Sequence, residues 1–448
     1  FFFTKYFTPA FLAPHVEFYA YAGFFFVVLP HGMETAFFNF ARSKEKYQDV
    51  FTTAMTSLLI VVVIFLALML SNKSTISSFV GHSDHLSYVL WFALIMAVDV
   101  LKSVPYALLR YLNKAKKFAS VKSTGIIINV GLNVFFIVYY PDITGTDPDI
   151  EFVFITNLVA SAVELLLVSS DIFKNLGTAS IELWKRMFRY SWPLIILGFA
   201  GMINETFDRL ALRKLLPAET VDYEIGVYGT FYKLSMLMTI FIQAFRYAAE
   251  PLFFSEADKK DAKSSYVQIM NWFVFACGGI FLVTSLFKKE IAELLISKPE
   301  FHQHPDALFI VPILLMANML LGIFFNLSIW YKLNNKTLLG AAISLVGAAV
   351  TIALLLVYVP VYGFKAAAVT TLIAYFIMTV LSYFLGQKYY PVNYNVKVAL
   401  SLITISVLLY LVSEYDGLAS WSAYFINTIY ISIYGLVGYM LMKSTRKS

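Results

Sequence analysis

The sequence carries little charge and almost no cysteine. Charged residues make up 14% of its 448 residues and hydrophobic residues 59%, which excludes a chain folded around one soluble core. The one cysteine, Cys277, excludes an internal disulfide and a cysteine-based metal site. No glycine-rich phosphate-binding loop occurs, so direct use of ATP is not predicted. The six histidines are scattered along the chain and predict no metal site.

Long apolar runs are what the sequence does have. A window of about 20 residues finds thirteen complete runs, at 16–40, 51–70, 86–112, 121–140, 150–169, 191–216, 223–247, 268–287, 307–331, 337–358, 363–386, 396–412 and 421–442. The aromatic run at residues 1–3, followed by Lys5, predicts the tail of a further helix whose beginning is missing. We therefore predict an all-α integral membrane protein of about 14 transmembrane helices, the first truncated.

Positive charge is distributed unevenly over the predicted loops. Of the 34 Lys and Arg residues, only eight fall on one side: Lys5, Lys73, Arg213, Lys214, Lys288, Lys289, Lys298 and Lys365. Four lie inside spans, and the rest lie on the other side, which the positive-inside rule assigns to the cytoplasm. The pattern predicts a multi-pass membrane protein with both termini in the cytoplasm. Its net charge of +6 is then explained by this topology and by anionic membrane lipids, not by nucleic acid.

Weak internal repeats predict how the spans are grouped. Residues 9–10 and 217–218 are both Pro-Ala, and TAFFNFA at 35–41 resembles QAFRYAA at 243–249 at the same offset. Six spans per repeat is an even number, so the copies enter the membrane in the same direction. We predict two six-helix bundles, 1–170 and 191–390, related by a pseudo-twofold axis along the membrane normal. An amphipathic linker helix at 171–190 and an extra helix pair at 391–448 complete the domains.

Three predicted spans carry small or polar residues about one helical turn apart, on one face. Tight helix packing with interhelical hydrogen bonds is the favoured explanation for the glycines among them. These residues are Gly125, Asn129 and Asn133; Gly198, Gly201, Glu205 and Asp208; and Asn318, Gly322 and Asn326.

Four cations inside the spans are the candidate substrate-binding residues: Lys233, Arg209, Arg246 and Lys102. A cation at the bilayer centre costs about 2.5–3.5 kcal/mol on insertion scales, so each needs a partner. Lys102 follows Asp99 by three residues, and Arg209 follows Glu205 by four and adjoins Asp208, so ion pairs within one helix explain these two equally well.

Lys233 has no acid three or four residues away, which makes it the first candidate for binding cargo and Arg209 the second. Arg246 lies thirteen residues further along, about 20 Å at 1.5 Å per residue, near enough to the inner surface to extend into it. Aromatic faces at Tyr228, Tyr232 and Tyr247 are candidates for stacking on rings of the cargo, although core packing explains them more simply.

Acidic residues inside the spans are candidates for energy coupling. A carboxylate that exchanges H⁺ or Na⁺ between two conformations favours one of them. The sequence does not distinguish the two ions and predicts no other cofactor. The candidate ion-coupling residues are Glu34, Asp99, Glu164, Glu205 and Asp208.

Five segments, in order, give the chain a resemblance to a known family: YFTPA (6–10), GMETAFFNFAR (32–42), DRLALRKLL (208–216), VYGTFYKL (227–234) and YGFKAAAVTT (362–371). They resemble the polysaccharide (Wzx-type) flippases of the multidrug/oligosaccharidyl-lipid/polysaccharide exporter superfamily. Lys365 departs from the family pattern, in which its place is usually small or apolar. The resemblance implies two six-helix bundles around a central cationic cavity, often with two extra spans.

The resemblance also implies a task. A Wzx-type flippase moves an undecaprenyl-pyrophosphate-linked oligosaccharide, such as an O-antigen unit of lipopolysaccharide, a capsule unit or an exopolysaccharide unit, from the inner to the outer leaflet by alternating access. Polysaccharide polymerases are possible partners. A lipid II flippase and a cation-coupled multidrug antiporter of the same superfamily remain alternatives. The enzyme alternative, a membrane glycosyltransferase or polymerase, is disfavoured because the outer loops are short.

The predicted topology can be tested with reporter fusions. Reporters placed after Lys46, Lys117, Lys263 and the C-terminus should report the cytoplasm, because their flanking loops carry the excess of positive charge. Reporters placed after Ser74, Gly145 and Pro299 should report the outer side. Two or more inverted sites would contradict the span count and, with it, the parallel repeat.

Overall fold

The structure, a computed structural model, describes residues 2–41, 45–256, 261–334, 336–415 and 421–445. Within these ranges the regular elements are all helical, which confirms the predicted all-α class. Only helices satisfy every backbone polar group within one segment, so a chain of separate apolar runs crosses a bilayer in this form.

Eighteen α-helices follow one another along the described residues. They are α1 Pro9–Val28, α2 Met33–Ala41, α3 Tyr47–Ser71, α4 Lys73–Val80, α5 Leu86–Tyr111, α6 Ala115–Val134, α7 Tyr140–Thr144, α8 Glu151–Lys174, α9 Ile181–Leu215, α10 Val221–Glu256, α11 Ala262–Leu286, α12 Lys288–Leu295, α13 Ile310–Leu327, α14 Ile329–Leu333, α15 Thr337–Tyr362, α16 Phe364–Tyr389, α17 Val396–Tyr415 and α18 Trp421–Thr445. A π-helical turn, Phe135–Tyr139, joins α6 to α7, and short 3₁₀ turns form at Phe2–Lys5 and Pro299–Phe301.

Twelve helical stretches in the described residues are long and apolar enough to cross a membrane, so the chain is a multi-pass membrane protein. They correspond to twelve of the thirteen complete runs predicted from the sequence. The one predicted run without a counterpart, at 191–216, lies within α9 and is not among the twelve helical stretches. Charged residues at both ends of α9, and Glu205, Asp208 and Arg209 within it, make its apolar stretch short.

The described chain forms two compact units. One consists of Ala10–Met202, and the other of Phe1–Pro9 with Ile203–Ser448. In the first unit α5 packs against α3 and α8, and α8 also packs against α6. In the second, α16 packs against α13 and α15, α10 packs against α13, and α11 packs against α13, α17 and α18.

The boundary between the units lies inside α9. The segment predicted as a separate linker, 171–190, comprises the end of α8, a short connection, and the first turns of α9, which then continues unbroken to Leu215. The predicted division into domains places its boundary at 190/191, and the two compact units meet at 202/203, about three turns further along the same helix. The three-part scheme of bundles, linker and extra pair stays a prediction.

The first long span is broken between α1 and α2. Pro30 lacks a backbone N–H, and His31 and Gly32 have positive φ angles of 36° and 72°, so the helix cannot continue through them. The His31 ring bonds the Leu29 carbonyl and the Ser57 hydroxyl, each at 2.7 Å, and the Trp184 indole donates to the same hydroxyl at 2.8 Å. Side chains from α3 and α9 thus hold the break in place.

Several glycines of the predicted small-residue stripes are sites of close packing, as expected. A Cβ at Gly322 would lie 2.4 Å from the Phe273 ring, and one at Gly198 would lie 2.9 Å from Val27. At Gly201, by contrast, a Cβ would meet nothing within 4 Å. The tightest contact lies outside the stripes, at Gly226 in α10, where a Cβ would lie 1.9 Å from the Pro9 carbonyl oxygen. That atom belongs to the backbone and cannot move aside independently.

We expect Gly226→Ala to reduce the amount of folded protein strongly, because the added methyl group overlaps the backbone of Pro9. Fluorescence-detected size exclusion of a tagged protein, with a thermal melt, would measure the loss. Gly201→Ala is the matched control and should leave abundance and melting temperature unchanged. Equal behaviour of the two variants would show that this backbone contact is not required.

Candidate functional site

In the first unit, the buried Lys102 of α5 is paired with two carboxylates, one on α5 and one on α8. Its ammonium lies 2.6 Å from Asp99 Oδ1, one turn earlier in α5, and 2.6 Å from Glu164 Oε2 in α8. The predicted Asp99–Lys102 pair is therefore present, and Glu164, predicted separately as an ion-coupling residue, belongs to the same cluster. Lys122 of α6 adds a second cation 3.4 Å from Glu164 Oε2.

Neutral groups complete this cluster. The Tyr106 hydroxyl donates to Glu164 Oε2 at 2.7 Å, and the Ser161 hydroxyl donates to Asp99 Oδ1 at 2.7 Å. Gly125 of α6 makes room for the carboxylate, because a Cβ there would lie 2.1 Å from Glu164 Oε1. Two acids and two cations thus balance one another where α5, α6 and α8 meet, which allows charge to be buried at membrane depth.

Glu34 lies apart from this cluster. Its carboxylate accepts a hydrogen bond from Arg110 Nη2 at 2.5 Å, and both side chains are more than 40% exposed. The Arg110 guanidinium also lies over the Phe38 ring, 5.2 Å from its centre. An exposed pair of this kind contributes little stability, and it leaves Glu34 accessible to solvent.

In the second unit, α9 and α10 bring together a cation, an acid and two tyrosines. Asp208 is buried and accepts a hydrogen bond from the Tyr228 hydroxyl. The Arg209 guanidinium lies 3.8 Å from Asp208 Oδ1 and 4.2 Å from the centre of the Tyr232 ring. Arg209 therefore has an anion beside it and an aromatic face below it, an arrangement that accommodates a partly desolvated guanidinium.

Arg209 contacts Glu205 differently from the sequence prediction. It donates to the Glu205 backbone carbonyl at 3.2 Å, and in the described residues no ion pair joins it to the Glu205 carboxylate. Glu205 has an exposed side chain. The buried acid beside Arg209 is Asp208, so Asp208, and not Glu205, is its charge partner.

Asn204 fixes the position of α9 in this unit. Its amide donates to the Ser344 carbonyl at 3.0 Å and accepts from the Thr351 hydroxyl at 3.1 Å, both on α15. The Tyr375 hydroxyl of α16 donates to the Asn204 carbonyl at 3.1 Å. These three bonds hold the turn that precedes Asp208 and Arg209.

The two remaining candidate cations, Lys233 and Arg246, lie on α10. Lys233 is partly buried, and within the described chain it makes no ion pair. The Arg246 guanidinium lies 4.0 Å from the centre of the Phe325 ring and likewise lacks a carboxylate among the residues described. The Tyr247 side chain lies outside the described residues. The structure brings Asp208 and Arg209 together and places Lys233 near enough to feel the charge of Arg209, whereas Arg246 lies thirteen residues further along α10.

Sequence reasoning missed the polar groups that act between helices. Tyr106 and Ser161 look like ordinary span residues, and Lys122 was assigned to a loop. Two of the three lie one turn from a candidate: Tyr106 is four residues after Lys102, and Ser161 is three before Glu164. This spacing on the same helical face was the available signal.

Comparison with known proteins places the chain in a wider group. The family profile described as "Polysaccharide biosynthesis protein" matches residues 19–256, which is more than half of the chain. A comparison with curated protein sequences gives no match.

Solved structures share its fold. An inward-facing multidrug resistance MATE family transporter of the MOP superfamily is similar with a TM-score of 0.68 and 15% identity, over 85% of this chain and 90% of that one. The lipid II flippase MurJ in an inward closed conformation gives a TM-score of 0.67 and 14% identity, over 96% and 98%. The Vibrio cholerae MATE transporter VcmN in its bent form gives 0.52 and 15%, over 85% and 86%. These neighbours are transporters and a flippase, not enzymes.

The cluster around Lys102 predicts a charge-rescue experiment. Lys102→Met should lower the amount of folded protein, because it leaves two carboxylates without their buried cation, a loss of about 3–5 kcal/mol for such a pair. Adding Glu164→Gln to this variant should restore part of the folded protein. Size exclusion and a thermal melt in detergent would measure both effects.

Lys122→Met is the matched control for this experiment. Lys122 contacts the same carboxylate oxygen but is 42% exposed, so its removal should change the melting temperature little. Normal abundance and melting of Lys102→Met would contradict the structural role given to the cluster.

Proposed function

The chain belongs to the polysaccharide biosynthesis protein family, and on this basis we propose that it moves an undecaprenyl-pyrophosphate-linked oligosaccharide across the bacterial cytoplasmic membrane. The family match and the shared fold support a flippase-type transport protein of the MOP superfamily with a lipid-linked substrate. The proposed cargo is one repeat unit of an O-antigen, a capsule or an exopolysaccharide. Membrane lipids surround the protein, and polysaccharide polymerases are the protein's expected partners.

The observation that supports this cargo is an excess of cations on α9 and α10. Arg209 has Asp208 beside it, whereas Lys233 and Arg246 have no carboxylate partner in the described part of the chain. An unpaired cation in a membrane span is costly, and it is retained where an anion arrives to neutralise it. A lipid-linked pyrophosphate supplies an anion at membrane depth while its tail remains in the hydrocarbon.

Lys233 is the proposed contact for the pyrophosphate. An ammonium group donates up to three charge-assisted hydrogen bonds and binds phosphate as a point charge. Arg209 is the second contact, because its fork of donors remains partly available beside Asp208. The Arg209 guanidinium covers one face of the Tyr232 ring. In this proposal, a sugar can stack on that face only if the guanidinium moves.

We propose that transport proceeds by alternating access and is coupled to H⁺ or Na⁺. Glu34 and Glu205 have the more exposed side chains among the candidate acids, although Glu34 is paired with Arg110. Asp99, Glu164 and Asp208 are less exposed and accept hydrogen bonds from the protein. An acid that is already neutralised exchanges an ion only if its partner moves. Coupling at Glu164 would therefore require Lys102 to change partners between the two conformations.

A lipid II flippase remains a second candidate for one reason. The MurJ structure covers 96% of this chain, against 85% for the MATE transporters, although identity is only 14% and supports the fold alone. Lipid II also carries sugars on a pyrophosphate, so the same cations would suit it. Complementation of cells depleted of their own lipid II flippase would identify this activity, and dye efflux would identify a drug antiporter.

The test of the pyrophosphate contact is Lys233→Ala in cells whose surface polysaccharide depends on this protein. We expect at least a tenfold loss of surface glycan, with normal protein abundance and with lipid-linked units accumulating in the membrane. Lys233→Arg should keep part of the activity, because charge matters more than fork geometry for a point contact.

Lys289→Ala is the control for this test. Lys289 is 72% exposed and 4.0 Å from Glu293, so its loss removes a cation without touching the proposed site. If Lys233→Ala exports glycan at the wild-type level, Lys233 does not carry the cargo, and the contact has to be sought at Arg209 or Arg246.

A further inference from the structure

A polar pocket lies in the second unit, at the start of α11. Ser264, Gln268 and Asn271 line one wall, at spacings of four and three that place them on one face of the helix. The opposite wall is the segment between α16 and α17, with Asn393, Tyr394 and Asn395. The pocket has a volume of about 340 Å³, many times the roughly 15 Å³ that one water needs. By the charge count, it is on the cytoplasmic side.

The deepest of these residues is a buried amide without a partner. Asn271 is only 2% exposed, and within the described chain its side chain makes no hydrogen bond to the protein. A buried amide left unsatisfied costs about 1–3 kcal/mol, so native structures supply such groups with partners. Because Asn271 lines the pocket, a hydrogen-bonding group bound there can satisfy its amide.

The lining indicates the chemical class of that group. Among the described residues that line the pocket there is no lysine, arginine, aspartate or glutamate, so this described lining does not neutralise a phosphate or an ammonium ion. Amides and hydroxyls both donate and accept hydrogen bonds, as a ligand rich in hydroxyl groups requires. Burial raises the pKa of the Tyr394 hydroxyl above its ordinary value, so the phenol keeps its proton and can donate.

We propose that this pocket binds a neutral, hydroxyl-rich sugar residue, and that the sugar belongs to the lipid-linked cargo on the cytoplasmic side. The assignment of the sugar to the cargo rests on the proposed function. It separates recognition into two parts, in which cations on α9 and α10 contact the pyrophosphate and the amide pocket contacts the glycan. A glycolipid headgroup has the same chemistry and is the other possible source of the sugar.

The test measures binding to the full chain in lipid nanodiscs by native mass spectrometry. The probes are undecaprenyl pyrophosphate bearing a neutral disaccharide, bare undecaprenyl pyrophosphate, and monoglucosyl diacylglycerol. The variant Gln268→Ala with Asn393→Ala removes two exposed amides and should preserve the fold. We expect about tenfold weaker binding of the sugar-bearing pyrophosphate, as two lost hydrogen bonds imply, with bare pyrophosphate lipid unchanged.

Two further variants sharpen the result. Asn271→Leu should also weaken binding of the sugar-bearing lipid, and a thermal melt reports whether this variant keeps its fold. Asn72→Ala is the matched control, because Asn72 is an exposed amide that bonds only within its own helix end, to Leu68 and Ser71.

The outcomes separate this inference from the proposed function. If the double variant binds every probe as the wild type does, the pocket does not recognise sugar. If the double variant weakens binding of monoglucosyl diacylglycerol alone, the assignment of the sugar to the cargo is overturned. If the wild type binds bare pyrophosphate lipid as tightly as the disaccharide-bearing lipid, the inference fails and the proposed function stands. If the wild type binds neither pyrophosphate lipid, both fail.

Discussion

The cost of placing charge in hydrocarbon is the constraint on which the rest of this structure depends. The two compact units meet it in different ways. In the first, Lys102, Lys122, Asp99 and Glu164 balance one another within one cluster supported by tyrosine and serine hydroxyls. In the second, Arg209 is the candidate span cation with an acid beside it, whereas no described carboxylate pairs with Lys233 or Arg246. Balanced charge stabilises helix packing, whereas unbalanced charge is available to a ligand.

The fold could be predicted from the sequence because the bilayer imposes a length on every apolar run. Twelve of the thirteen complete runs emerge as long apolar helices. The exception, at 191–216, lies in α9, where the polar residues that shorten the apolar stretch are the same ones that form the site. The break at His31 was not predicted, because it depends on contacts from Ser57 and Trp184 as well as on Pro30 and Gly32.

Local charge pairs were predictable and distant ones were not. Asp99 and Lys102 are one turn apart, so helical geometry alone brings them together. Glu164 joins them across 62 residues, which requires knowing how α5 and α8 are rotated against each other. The amide pocket was missed for the same reason, since Asn271 and the segment 393–395 are far apart in sequence. At Arg209, the i to i+4 rule pointed to Glu205, whereas burial selects Asp208.

The division of α9 between the units has a consequence for biosynthesis. The segment Phe1–Pro9 belongs to the unit that resumes at Ile203, and Pro9 lies directly against Gly226. A ribosome adding 5–20 residues per second needs roughly 10–40 s to make the roughly 200 residues between these two points. Throughout that interval this segment lacks the contacts that it makes with residues beyond Ile203, while the unit Ala10–Met202 can already assemble. The segment Phe1–Pro9 thus reaches its final contacts only after the unit that follows it has been synthesised.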